Sequence, residues 1–266
     1  MNSYSFTALR SLEEGEIVFV ARKMDDGDFS ACIDTELPPA FFPVGTTFSF
    51  SGELNNTSPC CMVVQNGYTP DHTGMHSVEG MWVTMLCTMS KGDSCTLSRS
   101  KEHLSLAWVT LSDKGVRGLR EDASGPQLEK LVREQYELAY SRGYIIPDEE
   151  LQIRQLLVDL ALNQKFDLIL TTGGTGVAPR DVTPEATLKV IDRRLKGMEQ
   201  AMMAASLAKT PHAVISRAVA GTLGSSLILN MPGSKKAVAE NLEAVLPAFG
   251  HTIAKLQGDP ADCGNL

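Results

Sequence analysis

No run of apolar residues in this 266-residue chain approaches the roughly 18 needed to cross a bilayer as a helix. The opening stretch, MNSYSFTALRSLEEGEI, lacks the basic segment and apolar core of a secretory signal, so a cytoplasmic protein is expected. There is no C-x-x-C pair. Five of the six cysteines (Cys32, Cys60, Cys61, Cys87, Cys95) fall within the first 100 residues, and Cys263 sits near the end. Without secretory context this is not a disulfide framework. Cys60, Cys61, His72, His76 and Cys95 are too irregularly spaced for a zinc pattern, so buried thiols are expected. A basic excess is missing too. The formal charge is −8, with 12 acids against 5 bases in residues 1–100 and 20 against 19 in the remainder. That excludes a general nucleic-acid binder. A small anionic substrate would need local groups such as Arg180, Arg217, Lys235 and Lys236.

What is present divides near residue 100. Before it, short β-like runs (16–20, 46–50, 81–86) are separated by Gly and Pro, which reads as a small β-rich domain over 1–100. The polar stretch 98–103 reads as a link. Over 101–266, strands and helices alternate, which implies an α/β domain of three layers with a mainly parallel sheet. Residues 104–111 read as a buried strand. The apolar spacing over 126–142 predicts a helix stopped by Gly143, with a short strand at 144–146. A helix over 148–163 and a strand over 166–170 follow. Helices are then expected over 184–194 and 197–209, and strands over 213–215 and 226–229. The closing helix, 234–256, should kink at Pro247.

The stretch TTGGTGVAPRDVTPEAT, from Thr171 to Thr187, stands out. Gly173, Gly174 and Gly176 let backbone N–H groups approach an anion without a Cβ in the way. Arg180 and Asp181 place opposite charges beside the turn, with Asp181 a candidate metal ligand. Thr183 could cap the next helix, with Pro184 at its first position and Glu185 near its positive end. Neither a P-loop nor G-x-G-x-x-G occurs, and a short glycine turn alone is a weak signal. Other loops also fall at the carboxyl ends of expected strands, where open α/β sheets bind ligands. These are Ser112-Asp113 running on to Glu121-Asp122, then Pro147-Asp148-Glu149, Ser216-Arg217, and Asn230-Met-Pro-Gly-Ser234. Ser234 would open a helix and meet an anion there. The plainer readings are helix caps for the first two and an ordinary turn for the last.

Together these runs resemble the molybdopterin adenylyltransferases, the G-domain family of bacterial and plant molybdenum cofactor enzymes and of gephyrin. Leu111-Ser-Asp-Lys-Gly115, Ile146-Pro-Asp-Glu149, the glycine stretch, Ser216-Arg217 and Leu229-Asn-Met-Pro-Gly-Ser234 match its motifs in order over about residues 104–256. The resemblance implies an enzyme that joins the terminal phosphate of molybdopterin to the α-phosphate of ATP and releases pyrophosphate. It implies catalytic roles for Asp148 and Asp181, which would also hold Mg²⁺. The pocket it implies is formed by Ser112, Asp113, Thr172, Gly173, Gly174, Thr175, Gly176, Arg180, Thr183, Ser216, Arg217, Asn230, Pro232, Gly233 and Ser234. It further implies a homotrimer and a downstream molybdenum-insertion partner, with no nucleic acid or membrane involved. A non-catalytic carrier or scaffold of the same fold is the alternative. In the first domain, residues 44–48, 58–60 and 91–93 resemble part of a MOSC domain, in which Cys60 would be a sulfur-handling thiol. A structural cysteine is the plainer reading.

Overall fold

The computed structural model describes residues 3–22, 31–34, 42–50, 59–70 and 77–260. The chain divides into one unit of Met1–His103 with Asn163–Lys165, and a second of Leu104–Leu162 with Phe166–Leu266.

The first unit is a closed barrel. Its strands are β1 (Ser3–Ala8), β2 (Ile17–Arg22), β3 (Ala31–Asp34), β4 (Thr47–Phe50), β5 (Pro59–Pro70), β6 (Ser77–Met85) and β7 (Ser94–Ser100), in the order β1-β3-β2-β6-β5-β4-β7. Closure removes unpaired strand edges, and it gathers Phe6, Val18, Val20, Phe48, Val63, Val83 and Met85 in the interior. Trp82 packs edge-on to Phe19 at 4.6 Å between ring centroids. Residues 98–100, read above as link, are the end of β7. His72 and His76 lie outside the described residues.

The second unit has a six-stranded sheet in the order β11-β12-β13-β10-β8-β9, formed by β8 (Leu104–Leu111), β9 (Leu138–Ile146), β10 (Leu168–Thr172), β11 (Arg193–Arg194), β12 (Ala220–Leu223) and β13 (Ser226–Met231). β9, β8, β10 and β13 run parallel, and β12 and β11 add an antiparallel edge. β10 and β13 are buried at every position, as strands covered on both faces should be. The helices are the short α1 (Asp113–Val116), then α2 (Ser124–Gln135), α3 (Glu150–Val158), α4 (Thr183–Leu188), α5 (Lys196–Leu207), α6 (Lys235–Val245) and α7 (Phe249–Leu256). Leu128 and Val132 of α2, Val238 and Leu242 of α6 and Phe249 and Ile253 of α7 share a core with Leu106, Leu170 and Leu229. Pro247 lies in a 3₁₀ turn between α6 and α7, where the closing helix was expected to kink.

Three local expectations are corrected. The helix expected over 126–142 ends at Gln135, and β9 begins at Leu138. Gly143 is no helix stop. It sits in β9 opposite Trp108, and an ideal Cβ there would fall 1.9 Å from the indole ring. Residues 213–215 form part of a 3₁₀ turn, Pro211–Ile215, and the strand comes later, as β12. The helix expected over 184–194 stops at Leu188 because Arg193 and Arg194 pair with Thr222 and Gly221.

Candidate active site

Strand register places the chemistry. Thr172 pairs with Thr110 and Met231, and Leu111 with Ile146, so the carboxyl ends of β8, β9, β10 and β13 share one edge. The chain leaves β8 outward to β9 and then crosses back to β10. The loops after β8 and β10 therefore diverge at a topological switch point, where open α/β sheets hold ligands. A crevice of about 560 Å³ opens there. Ser112, Asp113, Asp148, Thr172, Gly173, Gly174, Asp181, Gly233 and Ser234 line it, contributed by all four parallel strand ends.

The glycine turn is required by its backbone. Gly173 has φ +103 and Gly174 φ +63, and a Cβ on Gly173 would stand 2.6 Å from the Leu111 carbonyl oxygen. Neighbouring loops are tied to it. Gly173 N–H donates to Met231 O at 3.3 Å, and Thr172 Oγ1 to Pro232 O at 2.7 Å. Ser124 Oγ donates to Gly233 O at 3.0 Å. Thr183 does not cap α4 with its side chain; its Oγ1 donates to Gly173 O at 3.0 Å, and Val182 holds the cap position. Ser234 caps α6 by accepting from Ala237 N–H at 3.2 Å.

Asp113 and Asp148 are bound reciprocally, each backbone N–H donating to the other's carboxylate at 3.3 Å. Arg180 binds both Asp113 oxygens and, at 2.8 Å, Glu149. Its hydrogen bonds hold the Asp113 carboxyl below the usual range. Asp148 is pushed the other way, chiefly by burial and further by the negative charges of Asp113 and Asp181. Asp181 sits at the far side of the turn, where an ideal Cβ on Gly176 would meet its Oδ2 at 2.7 Å. Its carboxylate accepts from Ala178 N–H at 2.8 Å.

Several residues named from the sequence stand elsewhere. Thr175, Gly176, Arg180, Thr183, Asn230 and Pro232 do not line the crevice, and Ser216 and Arg217 line a separate cavity of about 410 Å³ with Glu185 and Glu199. Asn230 is fully buried. It donates to Thr171 and Thr187 hydroxyls at 3.0 and 2.9 Å and accepts from Val219 N–H, which makes it a core tie. Arg217 spends its guanidinium on protein: Gly176 O at 2.7 Å, Asp181 O at 2.6 Å and the Glu185 carboxylate, while its N–H donates to Thr175 O. It braces the 175–181 loop from behind. The cations that line the crevice are Lys114 and Arg120, which sequence reading passed over. Their proximity to Ser112-Asp113 and Glu121-Asp122 was the available signal. Asp122 also lines the crevice, accepting from Thr110 Oγ1 at 2.7 Å and from Ser124 and Gly125 N–H at 3.0 Å.

The donor set fits Mg²⁺. Five carboxylates (Asp113, Glu121, Asp122, Asp148, Asp181) line the crevice with two cations, Arg180 pairs with Asp113 from outside the lining, and burial with like charge disfavours ionised Asp148. Among the described residues no three His, Cys, Asp or Glu groups form a ready metal cage. Mg²⁺ needs none, since it takes one or two carboxylates and completes its shell with substrate phosphates and water.

Known proteins resemble this chain over its α/β unit. The Dictyostelium discoideum protein named gephyrin is 39% identical over 171 residues, covering 61% of this chain and 24% of that one. Molybdopterin adenylyltransferase of Helicobacter pylori (strain 26695) is 39% identical over 153 residues, covering 57% of this chain and 86% of that one. The chain thus spans about a quarter of the gephyrin relative and most of the bacterial one. Among solved structures, the molybdopterin biosynthesis enzyme MoaB of Thermus thermophilus superposes with a TM-score of 0.54 at 43% identity, covering 60% of this chain and 99% of that one. The Mog protein of Mycobacterium ulcerans gives 0.55 at 30% identity, covering 60% and 100%. Residues 107–251 match the family described as "Probable molybdopterin binding domain", and this chain belongs to that family.

Proposed function

We propose that the α/β unit is a molybdopterin adenylyltransferase. A terminal phosphate oxygen of molybdopterin attacks the α-phosphorus of ATP, a new P–O bond forms there, and the bond to pyrophosphate breaks. The nucleophile is already an anion near neutral pH, so no strong general base is needed. The barrier lies in bringing two polyanions together, and positioning with charge neutralisation is the remedy.

One observation carries the reading. Asp148 and Asp181, from loops after two different strands, line one crevice with Gly173, Gly174 and Ser234. Asp148 and Asp181 would hold Mg²⁺, which when bound offsets phosphate charge. Lys114 and Arg120 supply the crevice's own positive charge. With the Gly173 N–H held by Met231 O, the N-terminus of α6 at the crevice offers neutral donors to phosphate oxygens. Thr172, through Pro232, and Ser124, through Gly233, keep the β13–α6 loop against the glycine turn.

The remaining expectations join the same proposal: a cytoplasmic homotrimer that passes adenylylated molybdopterin to a molybdenum-insertion protein. Among the described residues, no helix is long and apolar enough to cross a membrane. Exposed Leu207 on α5 and Val214 and Ile215 in the following turn offer apolar surface for self-association.

The test is to incubate the chain with molybdopterin, ATP and Mg²⁺ and to follow pyrophosphate. Release is expected, and Asp181→Asn should suppress it. Binding of both substrates by the unaltered chain without any pyrophosphate would leave the carrier reading instead.

A further inference from the structure

We infer that the barrel holds a soft-metal site for Cu(I), built from Cys60, Cys87 and Met89. Cys60 Sγ stands 3.6 Å from Cys87 Sγ and 3.9 Å from Met89 Sδ, so three sulfurs from two separate stretches of chain converge on Cys60.

Their backbones are fixed by the barrel ladder. Leu86 N–H donates to Cys60 O at 2.7 Å, which sets Cys87 beside the start of β5. Met89 and Leu12 exchange both N–H···O bonds, at 2.8 and 2.9 Å. Cys60 and Met89 are buried, whereas Cys87 is partly exposed and gives an ion a way in from solvent.

Both separations from Cys60 suit coordination. An ion about 2.3 Å from each sulfur sets tetrahedral or trigonal ligands about 3.8–4.0 Å apart, so the Met89 separation of 3.9 Å already fits and the Cys87 separation of 3.6 Å needs to open by only a few tenths of an ångström. The ligand chemistry chooses the ion. Thiolates joined by a thioether select Cu(I), whereas structural zinc takes four ligands drawn from Cys, His and carboxylates. Binding releases the two thiol protons to solvent, leaving two thiolates and a neutral thioether on a monovalent ion.

Cu(I) titrated anaerobically into the full chain, against a chromophoric Cu(I) chelator, should give one tightly held equivalent. X-ray absorption should show a sulfur-only shell. Cys60→Ser and Cys87→Ser should each lose that equivalent. Met89→Leu, which conserves volume and keeps the barrel packed, should hold Cu(I) more weakly with one sulfur fewer in the shell. Cys32→Ser and Cys61→Ser should bind as the unaltered chain does. Three results would overturn the site: no competition with the chelator, Cu(I) retained by the Cys60→Ser/Cys87→Ser double variant, or Met89→Leu binding with an unchanged shell. Isolation of the chain lighter by two hydrogens, with Cys60 and Cys87 joined as a disulfide, would also overturn it.

Discussion

The two units collect their reactive groups by opposite means. The open parallel sheet brings hard oxygen donors to one edge, because every strand that contributes a loop points the same way. The closed barrel brings soft sulfurs together from the ends of strands and the turns between them. The sheet's carboxylates crowd to the point where burial and like charge push Asp148 upward. The barrel's sulfurs pack as ordinary apolar groups, with Cys60 and Met89 buried. Parallel topology therefore crowds carboxylates at one edge, whereas the barrel packs its sulfurs among apolar side chains.

Substitutions can sharpen that contrast. The largest expected effect is on the oxygen site: Asp181→Asn should lower adenylyl transfer by about 10²–10³, the usual scale for losing one preorganised electrostatic group. Pyrophosphate release under saturating substrates measures it, and near-normal turnover removes Asp181 from the mechanism. Next is the scaffold of that site. Gly173→Ala puts a Cβ against the Leu111 carbonyl oxygen at positive φ and should cost about 1–3 kcal/mol. Urea unfolding of the α/β unit reports it, and an unchanged midpoint would mean that the turn can move.

Arg217→Met should then test bracing from behind. The side chain does not line the crevice, yet it fixes the carbonyls of Gly176 and Asp181. A fall in kcat of about tenfold is expected, on the scale of about 1.4 kcal/mol, with KM for ATP little changed. A rise in KM alone would instead make Arg217 a direct substrate contact.

The smallest effect has the opposite sign. Because burial raises the Asp148 carboxyl above its ordinary value, its stabilising contribution is full at low pH and disappears as pH rises through the folded value. At neutral pH the ionised group opposes folding. Asp148→Asn should therefore raise stability without Mg²⁺ at pH 7, by no more than about 1 kcal/mol for a half-exposed group, and bring no gain near pH 3. Melting temperatures at the two pH values decide it, and equal shifts at both would remove the electrostatic explanation.

Much of the α/β unit was legible in the chain. Continuous apolar runs around Leu106, Ile169 and Ile228 mark strands buried on both faces, and the Gly173–Gly174 turn after such a run marks a ligand edge. Where reading failed, a distant partner had the deciding vote. The helical spacing that seemed to continue to Arg142 yields at Leu138 because β8 offers a full parallel ladder, and Gly143 serves the Trp108 ring rather than a helix end. Arg217 looked like an anion ligand because a guanidinium beside a strand end usually faces solvent. Here the backbone carbonyls of Gly176 and Asp181 occupy it. Lys114 lies inside the Leu111–Gly115 run but drew no notice beside Ser112 and Asp113, and Arg120 sits in no motif of its own.

By itself the sequence determined the division of texture near residue 100, the alternation that makes a parallel sheet and the glycine turn at the sheet's edge. These follow from patterns a few residues long, which the backbone reads locally. Only tertiary structure decided that Asp148 and Asp181 share a crevice, that Asn230 is a core tie, and that Cys60, Cys87 and Met89 meet. Such meetings depend on strand order, register and closure, and those are set by pairings between residues tens of positions apart.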